Sequence, residues 1–254
     1  MEELKYGELE VFVADSDVEL GRAAAMQFAE AVKEELHAKS ETSVIMALGA
    51  AQDSFFGALK DRDDIEWSRI TVLHVDTYMG VADARPESGA SRLRRHLLDE
   101  VKPKKFLPLH GDHVPVEEEL ARYSGILKEL DPQICVVGIG DSGHLAFNDP
   151  PADFKTKEFV RVVALSEMTR KQIHHAGTFS TLEEVPRYGL SLTMYALLRP
   201  KTVLALVHEA HKARIVEEIL EGPVTMMCPA SLMQDRANAH LYLNKEVASL
   251  LGAR

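Results

Sequence analysis

The sequence predicts an α/β protein: a single three-layer α/β/α domain spanning 1–254, with a mainly parallel, Rossmann-like sheet. Three observations predict this. Apolar runs of strand length recur along the chain, each leads through a cap or small-residue turn into a helical stretch, and several are apolar throughout. Alternating strands and helices favour parallel pairing, and a strand with no polar face needs cover on both sides. The 254 residues suffice for a sizeable core, and no Pro/Gly-rich linker or internal repeat divides them.

The elements follow in order. Leu9 to Ala14 alternates like a strand, and Asp15-Ser16-Asp17 offers N-cap chemistry for a helix reaching about His37. Ser43 to Leu48 is a second strand, followed by a helix from about Asp53. Ile70 to Val75 is a third, with a helix from about Ser88; Ile134 to Val137 is a fourth, ending in a Gly-rich turn. Phe159 to Leu165 and Val203 to Val207 read as further strands. A helix from about His211 to Leu220 follows, then a strand at His240 to Leu243 and a last helix.

Composition excludes several function classes. A net charge of −11 supplies no basic stripe for a phosphate backbone, so no nucleic-acid partner is expected. Cys135 and Cys228 form neither a disulfide framework nor a C-x-x-C motif, which points to the cytoplasm. The segment Met1-Glu2-Glu3-Leu4-Lys5 lacks the form of a signal peptide, and no run reaches the ~18 apolar residues of a membrane span. There is no Gly-x-Gly-x-x-Gly after the first strand and no Gly-Lys-Ser/Thr, so a nucleotide cofactor is not expected.

The chemistry concentrates at strand ends, where open α/β sheets bind ligands. The turn Gly138 to Pro150 carries His144 and the carboxylates Asp141 and Asp149, an acid/base set suited to opening and isomerising a small polar substrate. Asp76 ends the third strand at the same edge; partial burial there makes a carboxylate a base, although in isolation the residue reads equally as an Asx-turn or helix cap. The turn Leu48-Gly49-Ala50-Ala51-Gln52-Asp53 opens a helix through small residues, a pattern that exposes backbone N–H groups to an anion. Arg170 and Lys212 are the cations that could complete such a site; taken singly, each also reads as a solvated surface charge. Metal catalysis is not expected. His208 and His211 are three apart rather than four, and neither His110 with His113 nor the pair His174-His175 has an evident third ligand.

Together these segments resemble the glucosamine-6-phosphate deaminase/isomerase family, within the wider group that includes 6-phosphogluconolactonases. The similarity runs nearly end to end. It rests on the turn after the second strand, the segment Val75 to Tyr78 with Gly80, the Gly-Ile-Gly-x-x-Gly-His-x-Ala-Phe-Asn-Asp-Pro motif, Arg170, and His211-Lys212-Ala213. The ending Phe147-Asn148-Asp149-Pro150 is similar to the deaminase branch, since lactonases tend toward a Ser-Leu-Phe-Pro type ending. The resemblance implies that His144, oriented by Asp149, assists ring opening, and that Asp76 moves a proton between C2 and C1. A hexosamine 6-phosphate would yield a ketose phosphate and ammonia without any cofactor. It also implies a phosphate site at Gly49, Ala50 and Ala51 with Arg170 and Lys212. Ser142 stands where relatives often carry Asp or Asn before the Gly-His pair, and it joins the catalytic set here; Leu48 and Ala51 replace the hydroxyl-bearing residues common in the turn, and Thr77 replaces a common Glu. A non-catalytic sugar-phosphate-binding protein on this scaffold is the alternative reading, and a lactone hydrolase ranks below it. The expected partner is a small-molecule sugar phosphate, and the sequence leaves the number of subunits open, a homo-oligomer included.

Overall fold

The computed structural model describes residues 1–252. Its larger sheet holds β1 (Glu2–Tyr6), β2 (Leu9–Ala14), β3 (Thr42–Met46), β4 (Ile70–His74), β6 (Lys105–Leu107), β7 (Ile134–Gly138), β10 (Thr202–Val207) and β11 (Ala239–Asn244). The spatial order is β1-β2-β11-β10-β7-β3-β4-β6. Every pairing is parallel except β1 with β2. A smaller, antiparallel sheet joins β5 (Asp76–Tyr78), β9 (Tyr188–Leu192) and β8 (Val160–Ala164) in that order.

Strands that are apolar on both faces feed two separate cores. Val44 and Met46 point with Val72 toward Phe28 and Phe55, in one cluster. Ile45 and Leu73 point the other way, toward Tyr123 and Leu127. The first cluster is covered by α1 (Asp17–Ala38) and α2 (Asp53–Lys60), the second partly by α5 (Val116–Leu130). This is the three-layer α/β/α arrangement, and burying each Leu, Val or Phe of these clusters stabilises the fold by about 1.5–3 kcal/mol. The start of α1 forms as its sequence dictates: Ser16 Oγ accepts from Glu19 N, while the Glu19 carboxylate accepts from Asp15 N at 2.7 Å.

The remaining helices are α3 (Gly89–Leu93), which continues through a π-turn at 94–98 into α4 (Asp99–Val101), then α6 (Glu167–His175), α7 (Met194–Leu198) and α8 (Ala213–Glu221). Ser88 caps α3, accepting from Ser91 N. Register brings the strand ends of interest to one edge, with Leu206 opposite Gly138 and Met46 opposite both Val136 and His74. Tyr123 of α5 fixes the last of these ends: its hydroxyl accepts from His74 N at 2.7 Å and donates to His74 O at 2.8 Å.

Several expectations need correction. The strand expected at Phe159 to Leu165 exists as β8 but belongs to the antiparallel sheet, because its partner is β9 rather than a strand of the parallel sheet. The expected last helix is a 3₁₀ turn, Val247–Leu250. β1, β5, β6, β9, α5, α6 and α7 were not expected. β1 and β6 are edge strands with few buried side chains, so they lack the apolar run that marks an inner strand. Among the described residues no helix is long and apolar enough to cross a membrane.

Candidate active site

The edge formed by the ends of β3, β4 and β7 opens into a cavity of about 200 Å³. Leu48, Gly49, Ala50 and Ala51 line it from the turn after β3, and Gly138, Ile139, Gly140 and His144 from the turn after β7. His74 lines it from the end of β4, Asp76 from the start of β5, and Lys212 from the turn after β10. The sequence-predicted turn, base, imidazole and lysine therefore meet in one place.

His144 is buried and held on its Nδ1 side. Ser142 Oγ lies 2.9 Å from His144 Nδ1, and Asp149 Oδ1 lies 3.3 Å from it. Ser142 thus bridges, since its hydroxyl is also 3.4 Å from Asp149 Oδ1. Burial works to raise the Asp149 pKa. The histidine beside it, the Thr169 hydroxyl donating at 2.6 Å and Ser166 N donating at 2.9 Å outweigh burial and hold it well below the usual carboxylate range. These contacts leave Nε2 as the ring nitrogen for the cavity. A Cβ on Gly140 would lie 2.0 Å from that nitrogen, so only glycine fits beneath the ring.

Asp76 differs in kind. Burial pushes its pKa up to about 7, with Arg92 opposing the rise, so near neutral pH it exchanges protons readily. His74, one turn of strand earlier, is driven down to about 4 by burial and by Arg92, and stays neutral. The cavity therefore holds a carboxylate poised to titrate and an imidazole fixed by a second carboxylate.

β9 ties the two groups together. Asp76 pairs across the small sheet with Ser191, whose Oγ accepts from Phe147 N at 3.1 Å. Asn148 Nδ2 donates to Leu192 O at 2.8 Å, and Leu192 N donates to Val75 O. The same loop holds Ala146 at φ 49°, a left-handed conformation unusual for a residue with a side chain.

The predicted anion site is rearranged. Lys212 Nζ is buried against the cavity but already donates to Ile139 O at 2.8 Å and to Glu209 Oε1 at 2.7 Å. Arg170 does not line the cavity, which corrects its expected place there. Its guanidinium donates to Leu182 O and Val185 O, because the planar fork satisfies two carbonyls of the 182–185 segment. Thr169, Gln172 and Ile173 of the same helix face the cavity instead. Asp141 also turns away, 3.1 Å from His211 Nε2. Sequence reasoning missed Arg92, Gln52, His74 and Glu209. Gln52 stood in a turn already singled out, so a polar side chain among small ones was the available signal. Among the described residues, no three His, Cys, Asp or Glu side chains are placed to share a metal ion.

Residues 15–242 match the family model described as glucosamine-6-phosphate isomerases/6-phosphogluconolactonase. The chain belongs to this family. It is an enzyme of that kind. A glucosamine-6-phosphate deaminase of Lactobacillus delbrueckii subsp. bulgaricus is 30% identical over 247 residues, 96% of this chain and 100% of that protein. The deaminase of Exiguobacterium sibiricum is 31% identical over 191 residues, 75% of this chain and 74% of that one. Among solved structures, a monomeric glucosamine-6-phosphate deaminase superimposes with TM-score 0.86 at 26% identity, covering 94% of this chain and 99% of that chain. The 6-phosphogluconolactonase of Trypanosoma brucei shares the fold, with TM-score 0.77 at 18% identity over 99% of this chain and 100% of that one.

Proposed function

We propose that this family member converts a hexosamine 6-phosphate, either glucosamine 6-phosphate or galactosamine 6-phosphate, and water into a ketose phosphate and ammonia. The observation that carries the reading is the pairing, in one cavity, of Asp76 with a pKa raised to about 7 and His144 held through Nδ1 by Asp149 and Ser142. The relatives named as deaminases support the same reaction class.

The chemistry proceeds in three stages. His144 Nε2 takes the proton of the anomeric hydroxyl and delivers a proton to the ring oxygen, so the C1–ring oxygen bond breaks and an aldehyde forms with no net change at the imidazole. Asp149 and Ser142 keep the ring oriented and favour the transient imidazolium. The Asp76 carboxylate then removes the proton from C2, which the C1 carbonyl acidifies, and returns it to C1 through an enediol-type intermediate bearing nitrogen at C2, while one proton of the 2-ammonium group passes to O1, leaving a C1 hydroxyl and a C2 iminium. Water adds to the resulting C2 iminium, the C–N bond breaks and ammonia leaves. Proton removal needs Asp76 ionised, so kcat/KM rises as pH increases through about 7.

Incubation of the purified protein with each hexosamine 6-phosphate, following ammonia and ketose phosphate, tests the reading. Turnover of at least one is expected. A folded protein that turns over neither, or that consumes a 6-phosphogluconolactone instead, overturns it.

A further inference from the structure

Two cations line the cavity among the described residues, and they are not equivalent. Lys212 is neutralised by the Glu209 carboxylate at 2.7 Å. Arg92, on α3, faces no carboxylate within ion-pair distance; its Nη1 donates to the neutral Thr178 hydroxyl at 3.1 Å. A guanidinium presents five donors in a planar fork, so most of its capacity is directed at no protein group. A second observation points to an absent ligand. The Gln52 carboxamide is fully buried against the same cavity, and neither its oxygen nor its nitrogen has a hydrogen-bond partner. It lies between two close glycines, since a Cβ at Gly49 would be 3.1 Å from its oxygen and one at Gly138 3.1 Å from its nitrogen. Buried amides are rarely left unpaired, and one that faces a cavity is satisfied by what fills it.

We infer that Arg92 is the principal anchor for the phosphate of the substrate, in the site where the sequence suggested Arg170 and Lys212 together, with the Gln52 carboxamide completing the polar wall of the same cavity. The inference rests on the reading that the substrate is a phosphorylated sugar. It makes the anion site of this chain one that works without side-chain hydroxyls in the turn after β3. Leu48, Gly49, Ala50 and Ala51 supply none there, and a bidentate guanidinium replaces them. Arg92 carries the selectivity because Lys212 enters the site with its charge already matched.

The test is binding of inorganic phosphate to the whole protein, measured by calorimetry alongside KM for glucosamine 6-phosphate. Relative to wild type, R92M is expected to weaken phosphate binding and to raise KM by roughly 10- to 100-fold. R92K should recover part of the loss, and R95M, an exposed arginine on the following turn, should leave both unchanged. Circular dichroism melting confirms that each variant is folded. Phosphate affinity within about twofold of wild type in R92M overturns the inference, as does that result accompanied by a displaced pH–rate profile, which would make Arg92 a neighbour of Asp76 only. Failure of the wild type to bind phosphate overturns it too. Wild-type protein that binds phosphate through Arg92 yet turns over neither hexosamine 6-phosphate overturns the reaction and leaves this assignment standing.

Discussion

At the scale of single residues, Asp76 in the cavity wall and Asp149 behind His144 are two carboxylates whose environments drive them in opposite directions. Asp76 gains only burial, with Arg92 as a partial counterweight, whereas Asp149 receives donors from Thr169 and Ser166 beside the imidazole. The consequences are separable. Under the proposed reaction D76N removes the proton carrier and is expected to lower kcat by roughly 10²–10⁴-fold. The same substitution affects stability with a definite sign. The folded protein holds a proton on Asp76 that the unfolded chain releases at ordinary carboxylate pH, so stability falls as pH rises from about 4 to about 7. D76N cancels that loss, so its Tm should exceed that of wild type at pH 8 and converge with it near pH 4. Asp149 and Ser142 differ from each other in a similar way. D149N breaks the support of His144 and is expected to cost about 10²-fold in kcat, while S142A, with Asp149 still in place, costs less than about tenfold. Steady-state kinetics with the same substrate compares the two.

At the scale of elements, the turns after β3 and β7 carry glycines where the side chains of Gln52 and His144, and at Gly143 those of Ile215 and Cys228, occupy the adjoining space. G140A carries no functional group away, yet its methyl overlaps the His144 ring. It should lower kcat by at least about tenfold with little change in far-UV circular dichroism. Gly125 on α5 is the opposite case: it is exposed, with nothing within 4 Å of an added Cβ. G125A should stabilise the protein by about 0.5–1 kcal/mol in urea unfolding. These elements also show what the sequence made legible. β2, β3, β4, β7, β10 and β11 announce themselves as apolar runs with a cap or Gly-rich turn behind them, and the turns carry Asp76, His144 and Asp149 with them. The small sheet does not announce itself, because Asp76 pairs with Ser191 across more than a hundred residues and no local pattern encodes that. Arg92 was hidden among the neighbouring Arg94 and Arg95, and only the fold shows which of the three reaches the cavity. Arg170 misled for the converse reason, since a cation on the right helix is spent on the carbonyls of Leu182 and Val185.

At the scale of the molecule, the two margins of the eight-stranded sheet are protected differently. β6 is three residues long and begins with Lys105, a short charged margin that resists pairing with another chain. On the other side β1 covers β2, whose Leu9, Val11 and Val13 are buried. Removing residues 1–6 uncovers the ladder of β2 and is expected to lower Tm and promote self-association, read by light scattering against the full chain.

β9 gives this architecture a common datum. Asp76 and the imidazole-bearing loop are both referenced to residues 191 and 192, Asp76 by strand pairing and the loop through Phe147 N and Asn148 Nδ2. The spacing of Asp76 from the loop that bears His144 is accordingly held by one five-residue strand of the small sheet in addition to the ends of β4 and β7.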